Sequence, residues 1–371
     1  YLIIAEGNNL PASIRADIAS AGGGLTDTIP ELGIAVAPFG TPEEAADAVE
    51  TPGIRAVVPN LDLLWVARGY QEALTVNAAS SQWQSGDEFL SELQWGHIAV
   101  DAAGAWSAGA RGAGVRVAVL DAGFDLDHVD LYPNIDFALS ASFVPNEPLL
   151  YARPDVFSHG THTAGIIAAA ENRFGMRGVA PEAELILVKV IRDDDRGEVA
   201  WVLKGLVHAV QSGADIITVG LTVPLSQHGF HDTETGRWLS SASVVELANA
   251  MSRATTYAHL QGATVIAAAG DYARDGGLGT DPDAGYDGDL IYLPAEADHV
   301  LAVSATTPQG WATEQAGASF DAPTRYSNYG ESMVALSAPG GDVVYAGDEL
   351  CEVGPVVHDC FVFDLVLSTG S

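Results

Sequence analysis

Between residues 115 and 305 the chain alternates short, continuous apolar runs with longer stretches of helical character, and that alternation leaves few folds open. The apolar runs fall at 115–120, 184–191, 215–221, 264–269 and 299–305. The helical stretches fall at 198–211, with Gly213 behind it, and at 244–260, which leads through Gly262 into the next run. Glycine directly after a helix is a stop signal. Runs that are apolar throughout belong to strands buried on both faces. The expectation is therefore a three-layer α/β domain: a mostly parallel sheet with helices on both sides.

Asp121 stands at the carboxyl end of the first run, VRVAVLDAGFD, and in an open α/β sheet that edge is where ligands and catalytic groups gather. Further on, VFSHGTHTAGIIAAA puts His159 at the start of a helix, with Ser158 as its cap and Gly160 and Gly165 allowing backbone to come close. A histidine alone in such surroundings is more often a packed core residue than a catalyst. An aspartate at a strand end beside a histidine at a helix start is different, because that pair can hold an imidazole in one tautomer and make it a general base. His162 lies three positions after His159 without a third ligand nearby, which favours packing over a metal pair. Gly112 and Gly114 precede the strand, whereas dinucleotide-binding glycines must follow it.

These two blocks, VAVLDAGFD and SHGTHTAG, resemble the first two catalytic blocks of the subtilisin-like serine proteases, with Asp121 and His159 in the aspartate and histidine places. The resemblance implies that Asp121 orients the imidazole and that His159 takes the proton of a serine hydroxyl as it attacks a peptide carbonyl. QWGHIAVDAAGAW resembles the opening segment of the mature enzymes, so the catalytic domain is expected over 95–371. Extended peptide substrates in this family add to strand edges, and the matching segments here are Gly220, Leu221 and Thr222 and, across the cleft, Ala268, Ala269 and Gly270. The first departs from the family's serine-leucine-glycine step, which bears on the shape of the main specificity pocket.

A second departure is Asp271, which occupies the place of the asparagine that donates to the developing oxyanion. An ionised carboxylate only accepts hydrogen bonds, and it repels that charge by about 5 kcal/mol at ~3 Å with an effective dielectric near 20. The expectation is a slow or acid-favoured protease. ASFDAPTRYSNYG and ALSAPGGDVV resemble the stretch that runs toward the family's catalytic serine, but no glycine-threonine-serine-methionine block follows. The chain reads as one cut short of that serine, with Ser371 a terminal residue and not a convincing nucleophile. A catalytically silent relative that binds peptides is the alternative, and a metal-dependent hydrolase built on Asp121, His159 and His162 a third reading.

Residues 1–66 show the order β-α-β-β-α-β of a small ferredoxin-like unit, with Thr41, Pro42 and Glu44 at the start of its second helix. Its position resembles that of the family's inhibitory propeptide, which folds the enzyme and blocks it temporarily. Residues 67–94 lack sustained periodicity and read as a linker.

Composition bounds the partners. Of 371 residues 48% are apolar and only 18% charged, which argues for a globular chain, and the formal net charge is -33. Lysine occurs only at Lys189 and Lys204, so neither nucleic acid nor an anionic membrane surface is an expected partner. Such acidity suits a very soluble exported protein or one adapted to high salt. Cys351 and Cys360 read first as a small disulfide loop, hence a secreted protein, although two free thiols remain open. No cofactor is required. Asp281, Asp283, Asp287 and Asp289 offer either a structural calcium site or a solvated acidic loop. No apolar run is long enough to span a bilayer, and the absence of a signal peptide at Tyr1 reads as a trimmed start.

Overall fold

The computed structural model describes residues 1–65, 88, 90–153, 158–232, 237–274, 289–343 and 347–370. The chain opens with β1 (Leu2–Ala5), α1 (Ile14–Ser20), β2 (Asp27–Ile29), β3 (Ile34–Val36), α2 (Pro42–Val49) and β4 (Ile54–Val58). These strands form an antiparallel sheet in the order β2-β3-β1-β4, the ferredoxin-like arrangement. Helix α2 begins where Thr41 and Glu44 cap each other reciprocally, which satisfies backbone donors that the first turn leaves unpaired. Strand alternation divides the small sheet between two cores. Ile3, Ala35 and Ile54 face α1 and α2, while Leu2, Ile4, Ile34 and Val58 face the rest of the molecule.

A further strand, β5 (Asp62–Leu64), is absent from the sequence reading, and it does not join that sheet. Next come two short helices, α3 (Trp95–Ala99) and α4 (Ala102–Ser107), and then β6 (Arg116–Asp121), β7 (Ala141–Ser142), α5 (His159–Ala168), β8 (Glu184–Lys189) and β9 (Arg196–Glu198). The alternation continues with α6 (Val199–Gln211), β10 (Ile216–Val219), β11 (Val223–Ser226), β12 (Gly229–Asp232), β13 (Arg237–Ser240), α7 (Ser241–Leu260) and β14 (Thr264–Ala268). The last strands are β15 (Leu290–Leu293), β16 (Val300–Thr307), β17 (Ala322–Pro323), β18 (Val334–Pro339), β19 (Leu350–Val353) and β20 (Val356–Asp359).

The central sheet has eight strands in the order β17-β16-β14-β10-β6-β8-β7, with β18 added to β16, and all of its pairings except β16–β17 are parallel. Ala118, Leu120, Ile186 and Val188 belong to the core that holds α6 and α7, and Val117, Val119, Leu185 and Leu187 to the core that holds α5. β6 and β8 thus bury both faces, which is the three-layer architecture that the apolar runs predict. The ferredoxin-like unit rests on α6 and α7. There Arg253 donates to the carbonyls of Ala5, Gly7 and Leu32, Lys204 pairs with Asp27, and Arg55 pairs with Glu246 at 2.9 Å.

The sequence reading lacks the antiparallel pairs β11–β15, β12–β13 and β19–β20. The Cys351–Cys360 disulfide joins β19 of the last pair to the residue that follows β20. It packs with Trp95, Trp311 and Phe363 in a separate core that anchors the start of the α/β domain. Asp281, Asp283 and Asp287 of the calcium candidates lie outside the described residues, and Asp289 is exposed.

Candidate active site

The site forms where β6 ends and α5 begins. Asp121 is the last residue of β6, in register with Lys189, and its side chain is fully buried. His159 opens α5, and its Nδ1 lies 2.9 Å from each carboxylate oxygen of Asp121. Local chemistry fixes this approach. Ser158 Oγ caps α5 by accepting from Thr161 N at 3.2 Å and donates to the Gly123 carbonyl at 3.1 Å, tying the helix start to the loop after β6. The same approach requires Gly160, since a Cβ there would stand 2.4 Å from the Gly123 oxygen.

Burial alone would lower the basicity of His159, but the Asp121 charge and hydrogen bond, helped by Asp195 and Asp271, lift its pKa above the ordinary imidazole value. The side chain keeps 26% of its surface exposed. Among the described residues no hydroxyl bonds to it. His162 is turned away toward the Val366 carbonyl at 3.1 Å, and burial, then the neighbouring His159, push its pKa down to about 4. Among the described residues no three His, Cys, Asp or Glu side chains are grouped to hold a metal ion.

The two expected substrate-edge segments flank this pair. Gly220 follows β10, and a Cβ there would come within 3.3 Å of His159 Cε1 and 3.7 Å of Asp121 Oδ2. Leu221 is buried, and Thr222 Oγ1 reaches across to the Ala268 carbonyl at 2.7 Å. Beyond β14, Ala269 is buried and Gly270 adopts φ +105, a conformation that L side chains rarely accept. Asp271 is half-buried just beyond. Burial raises its carboxyl pKa above the usual range, against the pull of its own backbone and of His159.

Three parts of the site escape sequence reasoning. Asn328, fully buried, staples the turn after β14. It donates Nδ2 to the Ala269 carbonyl at 2.9 Å, accepts from Tyr272 N and Arg274 N at 3.1 Å, and sends its own N–H to the Gly270 carbonyl at 2.8 Å. Nothing local in SNYG marks it for that task. Asp195 bears on the imidazole electrostatically from the loop before β9. Strand β5 pairs antiparallel with β9 and is followed by Trp65, whose carbonyl accepts from Thr222 N at 3.2 Å.

The sequence model of the subtilase family matches residues 112–360. An intracellular serine protease of Paenibacillus polymyxa is 36% identical over 150 residues, which is 39% of this chain and 44% of that protein. Subtilisin E of Bacillus subtilis is 36% identical over 161 residues, 43% of this chain and 40% of that protein. The alignments thus span less than half the length of these relatives. Among solved structures, the epidermin leader peptide processing serine protease of Staphylococcus aureus superposes with a TM-score of 0.68 at 18% identity, covering 98% of this chain and 84% of that one, a likeness of fold.

Proposed function

Because the chain belongs to the subtilase family, we propose that it is the acid-base half and the substrate frame of a serine endopeptidase whose ferredoxin-like unit is an intramolecular inhibitor. The observation that carries this reading is the His159 Nδ1 contact with both Asp121 oxygens at 2.9 Å. Asp121 accepts a hydrogen bond from Nδ1–H, so the lone pair on Nε2 is the free one. A serine hydroxyl placed there loses its proton to Nε2 as its oxygen bonds to the substrate carbonyl carbon, and the imidazolium then protonates the leaving amine. Water repeats the cycle on the acyl-enzyme. Asp121 remains ionised throughout and balances the imidazolium.

Strand β5 supports the inhibitor role, since it lies as an added strand between β9 and Thr222, beside the catalytic pair. The disulfide suits an oxidising compartment and hence secretion. Among the described residues no helix is long and apolar enough to cross a membrane.

A second reading, a silent relative that only binds peptides, draws on Asp271, whose ionised form offers no hydrogen bond to an oxyanion. Hydrolysis of a peptide substrate by the full-length gene product that contains this chain separates the two. A protease loses at least about a hundredfold in turnover on His159→Ala while peptide binding persists. A binding protein shows no turnover in either form.

A further inference from the structure

The groove filled by β5 contacts its side chains as well as its backbone. The register sets Asp62 opposite Glu198, Leu63 opposite Gly197 and Leu64 opposite Arg196. Trp65 extends the pairing through its N–H to the Asp195 carbonyl at 2.9 Å. Alternate residues face inward: Leu61, Leu63 and Trp65 are buried, whereas Leu64 is exposed.

Two side chains go beyond this strand periodicity. The Trp65 ring is only 2% exposed, and its Nε1–H donates to the Gly197 carbonyl at 2.9 Å. Phenylalanine could fill the space but not make that bond. Asp62 receives Arg192 Nη2 at 2.8 Å and has Arg196 Nε at 3.8 Å, while Arg196 Nη2 also holds the Asp62 carbonyl at 2.8 Å. Asp194 lies 3.3 Å from Arg192 Nε and shares that guanidinium. Asp193, Asp194, Asp195 and Glu198 flank these two arginines, so the pull on the Asp62 carboxylate comes from the direct Arg192 and Arg196 contacts and not from a basic surface. The tryptophan end of the strand lies against Thr222, two positions from Gly220 and the imidazole.

We propose that the groove between β9 and Thr222 recognises extended peptides that carry a tryptophan three positions after an acidic residue. Resting on the protease reading above, such peptides are the substrate class of the enzyme once β5 has left. The indole sets the side-chain specificity through shape and its single donor, and Arg192 with Arg196 selects the upstream carboxylate. In the intact chain β5 excludes competitors through its high effective concentration.

The test is fluorescence anisotropy with a labelled peptide of sequence Leu-Asp-Leu-Leu-Trp, residues 61–65, added to the full chain carrying Asp62→Asn and Trp65→Ala to free the groove. The expected result is binding about tenfold or more tighter than for the Trp→Ala peptide, and measurably tighter than for the Trp→Phe and Asp→Asn peptides. Arg192→Ala in the same chain should abolish the preference for Asp over Asn. Circular dichroism checks the fold, and should the double variant not fold, Trp65→Ala alone serves, because it empties the indole pocket and leaves the rest of the strand unchanged. Equal affinity for the Trp and Ala peptides overturns the proposal. Binding needs no nucleophile, so selective binding without any turnover sinks the protease reading and leaves the groove assigned, and unselective binding with turnover does the reverse.

Discussion

Asp271→Asn is the perturbation that asks most of this site. Asp271 follows Gly270 at the end of β14, close enough to bear on His159, and burial already raises its carboxyl pKa. An ionised carboxylate about 3 Å from a developing oxyanion opposes it by about 5 kcal/mol at an effective dielectric near 20. The substitution removes that repulsion and supplies a donor, and one such donor is worth about a hundredfold to a thousandfold in turnover, a magnitude measured on a subtilisin, a relative of this chain. A gain in kcat of about a hundredfold at pH 8 is therefore expected for the full-length enzyme. Its pH dependence follows from the two raised pKa values. His159 works as a base only when neutral, so activity in both forms rises as pH passes upward through its raised pKa. Asp271 can donate only while protonated, so the gap between the two forms narrows as pH falls through the raised carboxyl pKa. Stability carries the same sign. The folded state holds the Asp271 proton more tightly than the unfolded one, a contribution fully present below the unfolded carboxyl pKa and lost as pH rises through the folded one. Urea titrations should show that loss in the parent and not in the variant. Rates on a peptide anilide from pH 5 to 9 decide the matter: a folded Asp271→Asn enzyme no faster than its parent at pH 8, or a gap that ignores pH, refutes the reasoning.

Other outcomes follow from single contacts. Ser158→Ala removes a helix cap and leaves Thr161 N without its partner, and should cost about 1–2 kcal/mol by urea denaturation while lowering activity through a displaced His159. Gly165→Ala places a Cβ 2.0 Å from Thr369 Oγ1 and 2.5 Å from Ser368 Oγ, an overpacking expected to destabilise by about 1–3 kcal/mol. Its reading is a lowered thermal midpoint. Opening the Cys351–Cys360 link by a double serine substitution should cost roughly 2–3 kcal/mol from chain entropy, seen as easier urea unfolding than in the disulfide form.

The sheet and the contact between Asp121 and His159 were legible in the sequence because both depend on local signals. Apolar runs mark β6, β8, β10, β14 and β16, and the cap and glycines of SHGTHTAG mark the start of α5. The antiparallel pairs stayed hidden because their partners are distant in the chain and their composition is mixed: β11 contains Pro224 and finds its mate in β15 only after α7 and β14. Strand β5 is short and finds β9 across more than 130 positions, so no local pattern announces it. Asn328 is harder still, since its task comes from four hydrogen bonds to a turn formed by another strand. His162 shows the converse, a motif residue whose surroundings make it a packed, neutral imidazole.

If Asp121 and His159 activate a serine, that serine is open to a serine-directed phosphonate. Treating the full-length gene product with a fluorophosphonate and locating the adduct by mass spectrometry tests it most directly. One modified serine is expected, with modification lost in a folded His159→Ala variant. A folded protein that binds the Leu-Asp-Leu-Leu-Trp peptide but takes no phosphonate on any serine contradicts it.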